Sequence, residues 1–162
     1  MAKPINYPYI PEGRIIHYVD ASNEHMKLAK AFARWFSLDE VMPVAAVVVR
    51  GNDVLGRGAN GSDYHKLHKC QRIILGCKSG EGYELCEGRH PKNHAEPRAL
   101  EDSKKQGHDP NGADLYLWGH WWCCKPCWDT MIQARINKVF LLKNSEVLFN
   151  KEHPDNIVGR QF

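Results

Sequence analysis

The sequence predicts an α/β fold, a central mixed five-stranded sheet with helices on both faces. Three observations carry this. Short apolar, β-branched runs recur at 44–50, 54–58, 114–118 and 138–142, with weaker strand character at Arg14–Val19. Segments with helical spacing and capping residues lie between them. From residue 44 onward the order is strand, strand, helix, strand, helix, strand, which favours a sheet covered on two sides.

In chain order, residues 1–20 read as an irregular extension, and Met1–Pro11 carries prolines and tyrosines rather than a basic start and an apolar segment. No signal peptide is expected there. Asp20-Ala-Ser-Asn23 offers N-cap residues, and Met26, Leu28, Ala29, Phe32, Ala33 and Phe36 then recur at helical spacing, so a helix is expected over about 21–36. Val44–Arg50 and Val54–Gly58 flank Gly51-Asn52-Asp53 and predict a β-hairpin. Residues 59–93 lack periodicity and are rich in glycine, histidine and cysteine; so long an irregular stretch is usually functional or pinned by a metal. Pro97, taken as a first helical residue, opens a helix of about 95–106 that Gly107 closes. Asp114–Trp118 is a strand, 124–134 a helix with Met131, Ile132 and Ala134 inward, and Lys138–Leu142 the last strand. The tail Lys143–Phe162 is expected to add a short helix near the active-site mouth.

At 162 residues the chain fits one domain, 1–162, interrupted by the insert at about 61–93. Its 43% apolar and 25% charged content is that of a soluble globular protein. A net charge of +3, with no block of five or six like charges, gives no polynucleotide track. The longest apolar run, Val44–Val49, is too short to span a bilayer. Six cysteines without a secretion signal read as thiols in a reducing compartment, which points to a cytoplasmic metalloprotein.

Two fragments carry the chemistry: His94-Ala95-Glu96-Pro97 and Cys124-Lys125-Pro126-Cys127. Each sits where a helix is expected to begin. Two cysteines two residues apart can bite one metal, and His94 supplies a third ligand from another helix. Three protein ligands leave a tetrahedral zinc one position for water, the mark of a catalytic site. Zinc lowers the pKa of such a water to about 7. Glu96, two residues past His94, is placed to shuttle the proton. Helix N-termini help keep the cysteines as thiolates. A lone Cys-x-x-Cys is often a structural knuckle or redox pair, and a lone His-x-Glu is weak. In this order, about 28 residues apart, they match the zinc-deaminase signature.

Over most of residues 20–142 the chain resembles the deoxycytidylate (dCMP) deaminases of the zinc-dependent cytidine deaminase superfamily. Glu24-His-Met-Lys-Leu-Ala-Lys-Ala31 is similar to the family's opening helix, and Pro43–Gly61 to its first hairpin. Ser79-Gly-Glu-Gly-Tyr-Glu-Leu-Cys86 resembles an insert of one branch, and Cys127–Ile136 follows the family's post-cysteine helix. The resemblance implies a three-layer α/β/α fold and hydrolytic deamination of a cytosine ring at C4, by attack of zinc-bound hydroxide with Glu96 as proton shuttle. The implied substrate is a free pyrimidine nucleotide, dCMP or a 5-substituted relative going to dUMP. A homo-oligomer, commonly a hexamer in relatives, is implied as well. By position Asn60 would bind the sugar hydroxyl and base edge, although an Asn before Gly61 is also a good turn residue. Four positions depart from the family. Cys123 stands where Pro is usual; spacing alone allows it as a ligand, and the register of the following helix selects Cys124. Arg98 replaces an Asn and could reach a substrate phosphate or lie on the helix surface. Ala59 replaces an aromatic, and Arg135 a helix-ending glycine.

Candidate substrate contacts are therefore Asn60, Ala95, Arg98, His120 and Trp122. Trp118 and Trp128 read as core packing, while Trp122 and His120 are better placed to wall a pocket. Cys70, Cys77, Cys86 and His90, with His65 and His68 nearby, could form a second, structural zinc site; the plainer reading makes the cysteines buried fillers and the histidines exposed. Competing functions are deamination of a base within RNA or DNA, such as a tRNA adenosine, deamination of another free base or nucleoside, and a silent zinc-binding module. The moderate charge opposes the first, and Glu96 opposes the last, because a structural site has no use for it.

Overall fold

The computed structural model describes residues 5–78 and 80–162; Met1–Pro4 and Ser79, which open two of the stretches read above, lie outside the described residues. Five strands form one sheet: β1 (Ile16–Val19), β2 (Ala45–Arg50), β3 (Asp53–Ala59), β4 (Asp114–Trp118) and β5 (Val139–Leu142). Their order is β1-β5-β4-β2-β3. The β1–β5 and β5–β4 pairs run parallel, and β4–β2 and β2–β3 antiparallel, so the sheet is mixed as expected.

Side-chain alternation divides the core. Ala45, Val47, Val49, Tyr116 and Trp118 face one side, where α1 (Glu24–Phe36) packs with Met26, Ala29 and Ala33. Val44, Ala46, Val48, Leu115 and Leu117 face the other, under α4 (Ala95–Lys105) and α5 (Lys125–Gln133). This is the three-layer α/β/α arrangement. Phe36, counted among the apolar face of α1, is instead 61% exposed. Asn23 caps α1, its side chain accepting from the His25 and Met26 amides.

Two glycines set how α4 lies on the sheet. A Cβ on Gly56 would stand 2.4 Å from the Ala99 carbonyl oxygen, and one on Gly58 2.3 Å from the Ala99 nitrogen. Bare backbone in β3 therefore lets α4 lie directly against the strand. Arg57 N–H also donates to Asp102 on that helix.

Three expectations need correction. Pro97 is the third residue of α4, not the first, because His94 is the N-cap and Ala95 begins the helix. Ile132 is 39% exposed; the buried face of α5 is Cys127, Trp128 and Met131, with Ala134 packed at the margin. The insert is a chain of single turns: α2 (Tyr64–Leu67), α3 (Gln71–Ile74) and three 3₁₀ turns at Tyr83–Leu85, Glu87–Arg89 and Pro91–Asn93. The tail adds α6 (Ser145–Phe149), whose Phe149 packs edge-on to Trp118. No described helix is long and apolar enough to cross a membrane.

Candidate active site

Where α4 and α5 begin, their N-cap residues meet. His94 caps α4 and Cys124 caps α5, with Pro126 in the first turn of α5 and Cys127 beside it. Neither cap makes a side-chain bond to its own helix, so both side chains are free to turn to each other. His94 Nδ1 lies 3.3 Å from Cys127 Sγ and 3.3 Å from Cys124 Sγ, and the two sulfurs are 3.2 Å apart. A tetrahedral zinc with ordinary Zn–N and Zn–S bonds would space such atoms by about 3.5–3.8 Å. The three donors sit within about half an ångström of that, and one nitrogen with two sulfurs is a zinc donor set. Cys123 packs into the core under α4 and α5, 1% exposed, with Glu96 as a neighbour, and is not part of the His94, Cys124, Cys127 group.

The electrostatics agree with a metal-binding pair. The Cys127 thiol bonds to Cys124, and with His94 close by this pulls Cys124 down to about 5 against the effect of burial. Burial and that same bond push the Cys127 thiol up. Burial alone would lower the His94 pKa, but its hydrogen bond to Cys124 and the nearby charges of Cys124 and Glu96 raise it.

Glu96 is 5% exposed, with Cys127 and Cys124 as neighbours. Burial first, and the Cys124 charge second, raise its carboxyl pKa. A carboxylate so placed takes up a proton more readily than one in water, which suits a group that must accept and return one.

These groups border a cavity of about 540 Å³, within the range of small-molecule sites. Asn60, Ala95, His120 and Trp122 all line it. The Asn60 amide is held on three sides: Oδ1 accepts from the Ser37 hydroxyl at 2.6 Å and the Val44 amide at 2.8 Å, and Nδ2 donates to the Met42 carbonyl. His120 Nδ1 accepts from the Trp121 and Trp122 amides, which leaves the proton on Nε2. Burial and the His94 charge lower its pKa to about 3, so the ring is neutral.

Arg98 does not reach the cavity. Its guanidinium donates to the Ala59 carbonyl and to Asn93 Oδ1, which ties the end of β3 to the turn before His94. It is neither a free surface arginine nor a cavity-facing one, because the close approach of α4 to β3 brings both acceptors within reach. Trp118 and Trp128 are core residues, 3% and 1% exposed. Of the second-site candidates, Cys70 and Cys86 meet His65, whereas Cys77 and His90 are not in that group. His90 instead caps the last 3₁₀ turn, accepting from the Lys92 amide.

Sequence reasoning missed Tyr7 and Tyr83. Tyr7 stacks on Trp122 with centroids 4.2 Å apart, and its hydroxyl accepts from the Lys125 amide. Tyr83 meets His94 edge-on at 5.0 Å, beneath the Arg72 guanidinium, and burial pushes its phenol up to about 12. Both come from aperiodic stretches that carry no signal of where a side chain will land.

Residues 20–143 match the family described as the cytidine and deoxycytidylate deaminase zinc-binding region. No curated protein matches the chain. Among solved structures, the chain is similar to the dCMP deaminase of the cyanophage S-TIM5 in complex with dCMP and dUMP: 25% identity over 75% of this chain and 82% of that one, TM-score 0.50. The apo form of that protein aligns at 24% identity over the same shares, TM-score 0.49. Guanine deaminase from Bacillus subtilis aligns at 19% over 72% of this chain and 60% of that one, TM-score 0.42.

Proposed function

Because the chain belongs to the cytidine and deoxycytidylate deaminase zinc-binding family and is a zinc-dependent hydrolytic deaminase, we propose that it acts on a free pyrimidine nucleotide. The substrate is dCMP or a 5-substituted dCMP, converted to the dUMP counterpart and ammonia. The observation that carries this reading is the His94, Cys124, Cys127 donor triangle with buried Glu96 beside it, bordering a cavity of nucleotide size. The likeness to a dCMP deaminase that was solved with dCMP and dUMP supports the choice among bases.

His94, Cys124 and Cys127 would hold the zinc, which would supply an activated water for attack at C4. Glu96 is placed to carry a proton to the ring nitrogen N3 and to serve again as the amine at C4 leaves as ammonia. The raised pKa of its buried carboxyl suits both directions of transfer. Neutral His120 presents an Nε2–H donor from the wall, and Trp122 and Tyr7 give a stacked aromatic surface against which a base can lie. Lys78 and Lys151 border the cavity and offer positive charge for a single phosphate.

Ammonia release across cytidine, CMP, dCMP, 5-methyl-dCMP, dCTP, guanine and tRNA tests the proposal. The expected result is release from dCMP or 5-methyl-dCMP above the rest. Glu96→Ala should lower kcat by about 10²–10⁴-fold with zinc content unchanged. Release from guanine or tRNA alone, or full activity in the Glu96→Ala protein, rejects it.

A further inference from the structure

The insert between β3 and α4 gathers a second set of metal-binding side chains. His65 lies in α2, Cys70 caps α3, and Cys86 sits between two 3₁₀ turns. One ring nitrogen and two sulfurs from these residues all lie within 4.8 Å of one another. His65 Nε2 is 3.1 Å from Cys86 Sγ. Cys86 is fully buried, and the other two are half-buried.

We propose that His65, Cys70 and Cys86 form a second zinc site that holds the insert in the conformation walling the active-site cavity. One nitrogen and two sulfurs are a zinc donor set, as at the His94 cluster, and the measured His65–Cys86 separation lies within about half an ångström of tetrahedral zinc spacing. Three further observations point the same way.

The first is steric. A Cβ on Gly88 would stand 2.6, 2.7 and 3.1 Å from three atoms of the His65 ring. The ring rests on bare backbone two residues beyond Cys86, so any side chain at 88 would displace the imidazole from the sulfurs.

The second is electrostatic. The Arg89 guanidinium, paired with Asp39, borders the same depression as His65 and Cys70. A cation held in place beside a ligand helps orient it, as outer-shell partners of metal sites do.

The third is how little apolar burial orders the first half of this stretch. Neither α2 nor α3 buries a residue, and Leu67, Ile73, Ile74 and Leu75 are 59–87% exposed. Apolar burial therefore contributes little here, whereas a metal bound only by the folded state contributes its binding energy directly. Yet the stretch carries Cys70, Arg72, Tyr83 and Arg89 into the cavity lining. Lys66, His68 and Ile73 line a shallow depression beside His65 and Cys70, from which water could complete a three-ligand shell.

The site is independent of the substrate assignment, and metal content reads it directly. The full chain is purified without chelator, passed through a desalting column, and its zinc and free thiols are counted. About two zinc per chain are expected in the wild type, and about one in His65→Ala and in Cys86→Ser, with the remaining zinc lost only on Cys127→Ser. About one zinc in the wild type even after incubation with excess zinc overturns the proposal, as do about two in both insert variants. A Cys70–Cys86 disulfide in the freshly purified chain, seen as two missing thiols under denaturing conditions, overturns it as well. Should a variant fail to fold, cobalt loading of the wild type decides. A thiolate-to-cobalt band that grows in proportion up to about two equivalents supports the site, and one that saturates at about one removes it.

Discussion

At the residue scale, the site works because several side chains have one available job. Asn60 shows this most plainly: a turn residue by sequence, it satisfies Ser37, Val44 and Met42 at once and so joins β2, β3 and the loop before β2. Asn60→Ala strands a buried backbone amide and carbonyl, and should cost about 2–4 kcal/mol, read by urea denaturation. Activity loss in that variant beyond the loss of folded protein would mark a substrate role in addition. The adjacent cysteines make a sharper test. Cys123 is packed under α4 and α5, and its thiol is pushed well up by burial, whereas Cys124 faces His94 at 3.3 Å. Cys123→Ser should keep its zinc, and Cys124→Ser should lose it, measured by metal content of the purified proteins. Here the ordering of ligands along the chain was legible, because His-x-Glu and Cys-x-x-Cys are local patterns. Whether Arg98 served a substrate or the fold was not, because both of its partners come from elsewhere in the chain.

At the scale of elements, helix ends carry most of the function and some of the strain. Both ligand-bearing helices present their N-termini to the same point, and their partial positive charge favours thiolates there. The C-terminus of α5 is less comfortable. Arg135 has φ +59°, the left-handed conformation in which a glycine ends a helix, and Ile136 N–H bonds back to the Met131 carbonyl in the corresponding motif. An L side chain there costs about 1 kcal/mol, so Arg135→Gly should raise stability by about that amount in denaturant titration. Unchanged or lower stability would mean that the arginine side chain makes up the difference. The helices and strands themselves fall within a few residues of where periodicity places them. The exceptions are informative: proline favours the first turn of a helix in general, and only the capping geometry of His94 shows that Pro97 takes its third position rather than its first.

At the scale of the whole molecule, zinc held by His94, Cys124 and Cys127 would tie α4 to α5 across the top of the sheet, from segments about 30 residues apart. Ligands held only in the folded state make the metal part of the protein's stability. Stripping zinc with a strong chelator should therefore lower Tm by about 10 °C, and zinc added back should restore it. A Tm unaffected by the chelator, with zinc shown to be gone, would separate the metal from the fold.

The sequence by itself determined the α/β class, the strands, and that His94, Cys124, Cys127 and Glu96 meet at two helix starts. Each of these is written in spacing that a local stretch of chain contains: a period of two, a period of about 3.6, or two ligands a helical turn apart. Only the tertiary structure decided which histidine joins Cys70 and Cys86, why Arg98 binds backbone, and that Tyr7 and Tyr83 reach the metal cluster. Those contacts join aperiodic segments, where side-chain direction follows from how each turn is packed against distant parts of the chain. Residues 59–93 are such a segment, and so the chemistry near the zinc was readable while the walls around it were not.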